Sequence, residues 1–327
     1  MNKQINVGIV GLGEHMVRAH IQHLLPMPGV QILRWFDPNE KADVSCFTSL
    51  EKQPIRSKFR EILNDEEINV VFIGSPDKYH AEQLLSCVQA GKSVFCEKPM
   101  ITEMNDRILL EEVLDIAKQK ELIVSSCHPR RFDPPFVWLK ERLTEDKKWV
   151  EDKLGRITDF IFVFCYHEVT DEWKKNRSLL KDHFGHEIDL YRFLFGSTHE
   201  WEAVKEFDWH DSYKVIGTSK DENFPNFTFT GYRTLKEKVY QETVTLKGTK
   251  DAVVMQLNTG KNVFMKDLSG GVFPKIDYEK RFKLVNEDFI RAVRGEGDSY
   301  LTHADMLVNN ISSIELCSED EYYALKS

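Results

Sequence analysis

Ile5-Asn6-Val7-Gly8-Ile9-Val10-Gly11-Leu12-Gly13 is the stretch on which the fold of this chain turns. A short run rich in Ile and Val reads as a buried strand, and it ends on two glycines that lead directly into a helical pattern from Glu14 to Leu25. The helix stops ahead of Pro26 and Pro28. Glycines so placed allow a tight turn and let backbone N–H groups approach a pyrophosphate at the positive end of the helix dipole. The third glycine of the G-x-G-x-x-G pattern is missing. Met16 stands in its place, which predicts slightly wider packing between helix and strand.

Downstream, β-rich runs at Ile32 to Phe36, Val70 to Ile73, Val94 to Cys96 and Leu122 to Val124 alternate with helix candidates at Ala81 to Ala90 and Asn105 to Lys120. Such alternation predicts right-handed βαβ units and a parallel sheet buried on both faces. Residues 1–127 therefore read as a Rossmann-type, NAD(P)-binding domain. Asp37 closes the second run, 24 residues past Gly13, about where a dinucleotide fold keeps the acid that accepts hydrogen bonds from ribose hydroxyls. An acid there repels a 2′-phosphate, so NAD(H) is expected in preference to NADP(H). Asp37-Pro38-Asn39 is also ordinary turn chemistry. The order strand, glycine pair, helix, strand, acid favours the nucleotide reading.

After residue 127 the texture changes. His128-Pro129-Arg130-Arg131-Phe132-Asp133-Pro134-Pro135 leads to one helical segment and then to strand-like runs at Ile157 to Tyr166, Glu202 to Trp209, Phe227 to Tyr232, Val239 to Leu246, Ala252 to Leu257 and Val263 to Met265. Few helices separate them, which predicts an α+β domain over 128–327 on an open, mostly antiparallel sheet. Helices are expected at Leu179 to Phe195, Asn286 to Arg294 and His303 to Cys317.

The 327 residues suit two domains, and 41% hydrophobic content suffices for a core in each. A net charge of -9 with both signs interspersed argues against nucleic acid as a partner. No apolar run approaches a membrane span, and the N-terminus enters a strand pattern without a small-residue cleavage site, so a cytoplasmic protein is expected. The six cysteines lack paired spacing, which indicates neither a zinc cage nor a disulfide framework. No metal is expected.

Three places carry candidate chemistry. Gly91-Lys92-Ser93-Val94-Phe95-Cys96 ends on Glu97-Lys98-Pro99, an acid, a base and a rigid turn at a strand's carboxyl end, where ligands of parallel sheets sit. On these residues alone, Lys98 reads as a catalytic cation or as a plain surface Lys, and composition favours the latter. Ser75-Pro76-Asp77-Lys78-Tyr79-His80 follows the strand Val70 to Ile73; Ser75 and His80 are candidates for the nicotinamide half of a cofactor, with helix capping the favoured alternative for His80. In the helix Leu179 to Phe195, Asp182, His186 and Asp189 share one face with Phe193, while Phe184, Ile188, Tyr191 and Phe195 share the other. Carboxylates at i−4 and i+3 suit His186 to proton transfer near neutral pH, and a salt-linked solvated face is the competing reading. Arg131, Tyr166, His167, Trp173 and Asp189 are further candidates for contact with a polar substrate.

These residues together resemble the Gfo/Idh/MocA superfamily (glucose-fructose oxidoreductase, inositol dehydrogenase and rhizopine catabolism proteins). The likeness runs through Gly11-x-Gly13 with His20, Ser75-Pro76 with His80, Ala90-Gly91-Lys92 leading to Glu97-Lys98-Pro99, Arg131-Phe132-Asp133-Pro134, Gly155-Arg156-Ile157, Asp182 with His186 and Asp189, and Phe289 to Gly295 followed by Thr302. It implies a Rossmann domain joined to an α/β domain whose open sheet often forms a dimer face, and a homodimer or homotetramer. It also implies NAD(P)-dependent oxidation or reduction of a carbinol or carbonyl, usually in a sugar, cyclitol or related polyol. Lys98 would then hold the reacting oxygen and join the proton relay, His186 would be the general acid/base, and Asp182 would orient substrate or His186. Gly11, Gly13, Glu14, His15, Asp37, Ser75, Pro76, His80, Glu97 and Lys98 would surround the cofactor. Two alternatives keep the fold: a non-catalytic NAD(H)-binding regulator, and a reductase of a non-sugar cyclic substrate.

Overall fold

The computed structural model describes residues 4–167, 178–196, 201–209, 211–234, 240–258, 278–317 and 322–325. Trp173, the side chain of Tyr166 and the strand expected at 263–265 lie outside the described residues. The chain forms two compact units, Met1–Pro129 with Tyr278–Asn310, and Arg130–Asp277 with Ile311–Ser327.

In the first unit, β1 (Ile5–Val10), β2 (Val30–Phe36), β3 (Ile55–Arg56), β4 (Val70–Ile73), β5 (Ser93–Cys96) and β6 (Val124–Ser126) form one sheet in the order β3-β2-β1-β4-β5-β6, parallel throughout. This is the doubly wound order, whose direction reverses between β1 and β4. Both β4 and β5 are buried at every residue, which explains their unbroken apolar runs. The first helix opens as Glu14–Met16, widens into a π-turn over Val17–Ile21 and closes as Gln22–Leu24. Met16 is buried against Gly74, and a Cβ on Gly74 would collide with the Met16 methyl. The glycine missing beneath the helix is thus answered by a glycine after β4.

Sequence patterning put residues 278–310 with the second domain, whereas they cluster with the first unit. The helix Tyr278–Val293 sets the Phe289 ring 5.5 Å from Phe72 and 5.3 Å from Phe95. Asn286 donates to Ala19 O at 2.8 Å, and Asn310 Oδ1 accepts from the Met100 N–H at 2.8 Å. Burying Phe289 completely contributes about 1.5–3 kcal/mol. An amphipathic helix declares that it has a buried face, but not which sheet will bury it.

The second unit is built on β7 (Ile157–His167), β8 (Trp201–Trp209), β9 (Ser212–Ser219), β10 (Asn226–Thr234), β11 (Tyr240–Gly248), β12 (Ala252–Asn258) and β13 (Tyr322–Leu325). Their order is β12-β11-β7-β10-β9-β8-β13, antiparallel except for the parallel pair β7 and β10. Phe160, Phe162 and Phe164 enter the core with the period of two that a half-buried sheet requires. Against them lies the helix Leu179–Phe195, started by Ser178, whose Oγ accepts from the Lys181 N–H, and ended at Gly196 with φ +93°. Its Phe184 meets Phe229 at 5.9 Å, and Tyr191 meets Trp201 edge-on at 4.9 Å, so the expected aromatic face does pack on the sheet. Strand β9 escaped the sequence reading because Gly217 breaks its alternation; the Phe227 ring fills the space a Cβ there would need. Among the described residues no helix is long and apolar enough to cross a membrane.

Candidate active site

The two glycines of the first turn serve different ends. Gly11 has φ +85°, and a Cβ on it would lie 2.6 Å from the carbonyl carbon and oxygen of Gly74 and from Ser75 N. Only glycine fits that crossing. Gly13, which caps the helix, has an ordinary φ of -73°, and nothing lies within 4 Å of the position a Cβ would take. Gly11 is therefore demanded by the fold, while Gly13 leaves open space in front of a helix N-terminus, as a pyrophosphate needs. Asp37 ties the turn to the end of β2: Oδ2 accepts from the Leu12 N–H at 2.7 Å and Oδ1 from the Asn39 N–H at 2.8 Å. Each carboxylate oxygen keeps capacity for a further hydrogen bond, which suits a ribose diol. These residues fit a bound dinucleotide.

His80 does not cap the helix that it opens. The N-cap is Tyr79, and the imidazole is buried between Pro99 O at 2.7 Å and Ser75 O at 2.8 Å. It fastens the loop after β4 to the loop after β5. Ser75 Oγ donates to Gln83 Oε1 at 2.5 Å, and Pro76 is exposed. The Lys98–Pro99 peptide is cis.

Beside Lys98, a carboxylate and two imidazoles converge. Glu97 Oε1 lies 2.6 Å from His20 Nε2 and 3.0 Å from His15 Nε2, and Glu97 Oε2 accepts from the Lys98 N–H at 3.3 Å. Asn286 donates to Ala19 O and Phe282 O, so its Oδ1 faces His20 Nδ1 at 2.8 Å and assigns that nitrogen its hydrogen. One further hydrogen then lies between His20 Nε2 and Glu97. Burial alone would push the Glu97 carboxyl up, but the adjacent His15 and His20 outweigh it and hold the group well below its usual range. Cys127 is driven the other way, first by burial and then by the Glu97 charge. The three donor atoms of His15, His20 and Glu97 lie within 4.8 Å of one another, a set of metal-binding type. The sequence does not announce it, because 82 residues separate His15 from Glu97.

In the second unit, Asp182 and His186 stand one turn apart and half-buried on the helix Leu179–Phe195. His167, at the end of β7, lies with Nδ1 3.1 Å from Thr234 O. Asp189 and Arg131, both expected to face substrate, are instead buried against each other: Arg131 Nε donates to Oδ2 at 3.0 Å and Nη2 to Oδ1 at 2.7 Å. A buried guanidinium demands such a partner, and the fork geometry satisfies it. Neighbouring Arg130 pairs likewise with Glu242 at 2.8 Å. Sequence reasoning passed over His183, whose Nδ1 is 2.6 Å from Glu187 Oε1. The i, i+4 spacing of these two residues was the available signal.

Residues 5–128 match the family model described as oxidoreductase family, NAD-binding Rossmann fold. By that match the nucleotide-binding part of the chain is similar to the Gfo/Idh/MocA oxidoreductases. It is 28% identical over 197 residues to the uncharacterized oxidoreductase YrbE of Bacillus subtilis (strain 168), covering 60% of this chain and 55% of that one. It is 30% identical over 201 residues to scyllo-inositol 2-dehydrogenase (NADP(+)) IolW of the same organism, covering 59% and 52%. The chain thus spans about half the length of these curated relatives. The solved scyllo-inositol dehydrogenase from Lactobacillus casei, with bound NAD(H) and scyllo-inositol, superposes with a TM-score of 0.75 at 18% identity, over 99% of this chain and 100% of that one. The match over residues 5–128 and the structural likeness agree on the fold described above.

Proposed function

We propose that the chain is an NAD(H)-dependent oxidoreductase acting on a hydroxyl or carbonyl of a sugar, cyclitol or related polyol. The observation that carries this reading is the turn Glu97-Lys98-Pro99 at the carboxyl end of β5, with Glu97 locked by His15 and His20, in a Rossmann unit matched to an NAD-binding oxidoreductase family. The first unit holds the cofactor through Gly11, Gly13, Glu14, His15, Asp37, Ser75, Pro76, Glu97 and Lys98, with His80 fixing the loops that carry them. The second unit binds substrate. When bound, the nicotinamide supplies the hydride chemistry. Lys98 holds the reacting oxygen and stabilises its developing negative charge. His186 takes the hydroxyl proton in oxidation and returns it in reduction, and Asp182 orients the imidazole. Asp37 favours NAD(H), since its carboxylate disfavours a 2′-phosphate; NADP(+) use by the relative IolW makes this preference a point to test.

The test is titration with NADH and with NADPH, then turnover of scyllo-inositol, myo-inositol and a panel of keto-sugars. Lys98→Ala and His186→Ala are expected to lower kcat by about 10²-fold or more, with NADH affinity within a few-fold of wild type. Turnover that survives both changes refutes the assignment. NADH binding with no turnover of any panel member favours a regulator instead.

A further inference from the structure

The helix Leu179–Phe195 carries a second imidazole that the proposed proton transfer does not use. His183 and His186 are three residues apart on one face, and their rings meet edge-on with centroids 5.5 Å apart. The His183 ring is fixed on two further sides. Its face stacks on Phe164 at 3.9 Å and 24°, and its Nδ1 is 2.6 Å from Glu187 Oε1. Glu187 is fully buried, and its Oε2 accepts from the Tyr213 hydroxyl at 3.1 Å. With that carboxylate accepting, His183 Nδ1 carries a hydrogen, and Nε2 is the nitrogen on the opposite edge of a side chain that is 14% exposed.

Packing alone does not call for this. An aliphatic side chain at 183 would cover Phe164 without needing a buried acid or a tyrosine to anchor it, and burying an acid is costly. An acid that orients one nitrogen of a His so that the other can act on a ligand is the usual logic of positioned imidazoles. We propose that His183 is a second substrate-facing imidazole, set beside His186 to bind a hydroxyl next to the reacting carbon, so that the site selects vicinal polyols over simple alcohols. This rests on the dehydrogenase reading for its substrate; Glu187 and Tyr213 are positioning residues.

The experiment uses the full chain with NAD+, scyllo-inositol and 1,2-cyclohexanediol as vicinal probes, and cyclohexanol as the single-hydroxyl control. Wild type, His183→Asn and Glu187→Gln are compared once circular dichroism has established that each folds. Both variants are expected to raise KM for the vicinal probes roughly tenfold, the loss of about one hydrogen bond, while kcat changes less. The carbon-bound imidazole proton of His183, identified by its loss from the NMR spectrum of His183→Asn, is expected to shift with the vicinal probes and not with cyclohexanol. Turnover with unchanged KM in both variants overturns the inference and leaves the dehydrogenase reading standing. If wild type turns over no probe, that reading fails, and the resonance decides the inference: a shift confined to vicinal probes supports it, and no shift overturns it.

Discussion

Replacing Asp189 with Ala should damage the fold rather than the chemistry. The Arg131 and Asp189 side chains are 6% and 1% exposed, and the guanidinium makes contacts of 2.7 to 3.1 Å to the carboxylate. At an effective dielectric of about 20, charges roughly 3 Å apart attract by about 5 kcal/mol, most of it offset by the cost of removing both from water. Removing one partner leaves that desolvation cost without the attraction, a loss of about 3–5 kcal/mol. At roughly 2–4 °C per kcal/mol for a domain of this size, Tm should fall by about 6–20 °C. Thermal and urea unfolding, followed by tryptophan fluorescence, measure this directly. Arg131→Met combined with Asp189→Leu should recover most of the loss, because no charge is then left buried alone. A Tm change under about 2 °C with an increased KM would refute the reasoning and return Asp189 to the substrate.

Other perturbations separate binding from folding. Gly13→Ala should fold with an unaltered Tm yet weaken NADH binding about tenfold or more, while Gly11→Ala should cost at least about 1–3 kcal/mol in unfolding free energy because its φ is positive and its Cβ meets the Gly74 backbone. Asp37→Ala should raise the NADH dissociation constant roughly tenfold and narrow the gap to NADPH; fluorescence titration reads both. Glu97 has a depressed folded value against an ordinary 4.5, so its contribution to stability is complete above that pH and is lost as pH falls through the folded value. Glu97→Gln should flatten the acid side of a Tm-against-pH profile, and an undiminished slope would contradict the assignment.

Local pattern made much of this legible. The run Ile5–Val10 with its glycines, the alternation of β4 and β5 with helices, and the aromatic face of Leu179–Phe195 each follow from spacing along a single element. What stayed hidden depends on partners far apart in sequence. Asp189 reads as part of a polar stripe until Arg131, 58 residues away, is found against it. Glu97 appears merely adjacent to Lys98 until His15 and His20 arrive from the first helix. Strand β3 is two exposed residues and carries no pattern at all. His183 was overshadowed because Asp182 and His186 matched an i, i+4 template first, although Glu187 stood at the same spacing from it.

The partition of the chain also sets an order of events during synthesis. All six strands of the nucleotide-binding sheet have been translated by Ser126, but Phe289, which covers Phe72 and Phe95, and Asn286, which fixes His20, follow only after the 148 residues Arg130–Asp277. A nascent chain halted at residue 129 therefore holds a finished sheet with an uncovered aromatic face, the kind of surface on which chaperones act. Of the two units, the one whose sheet is translated first is completed only after residues 130–277 of the other have been made.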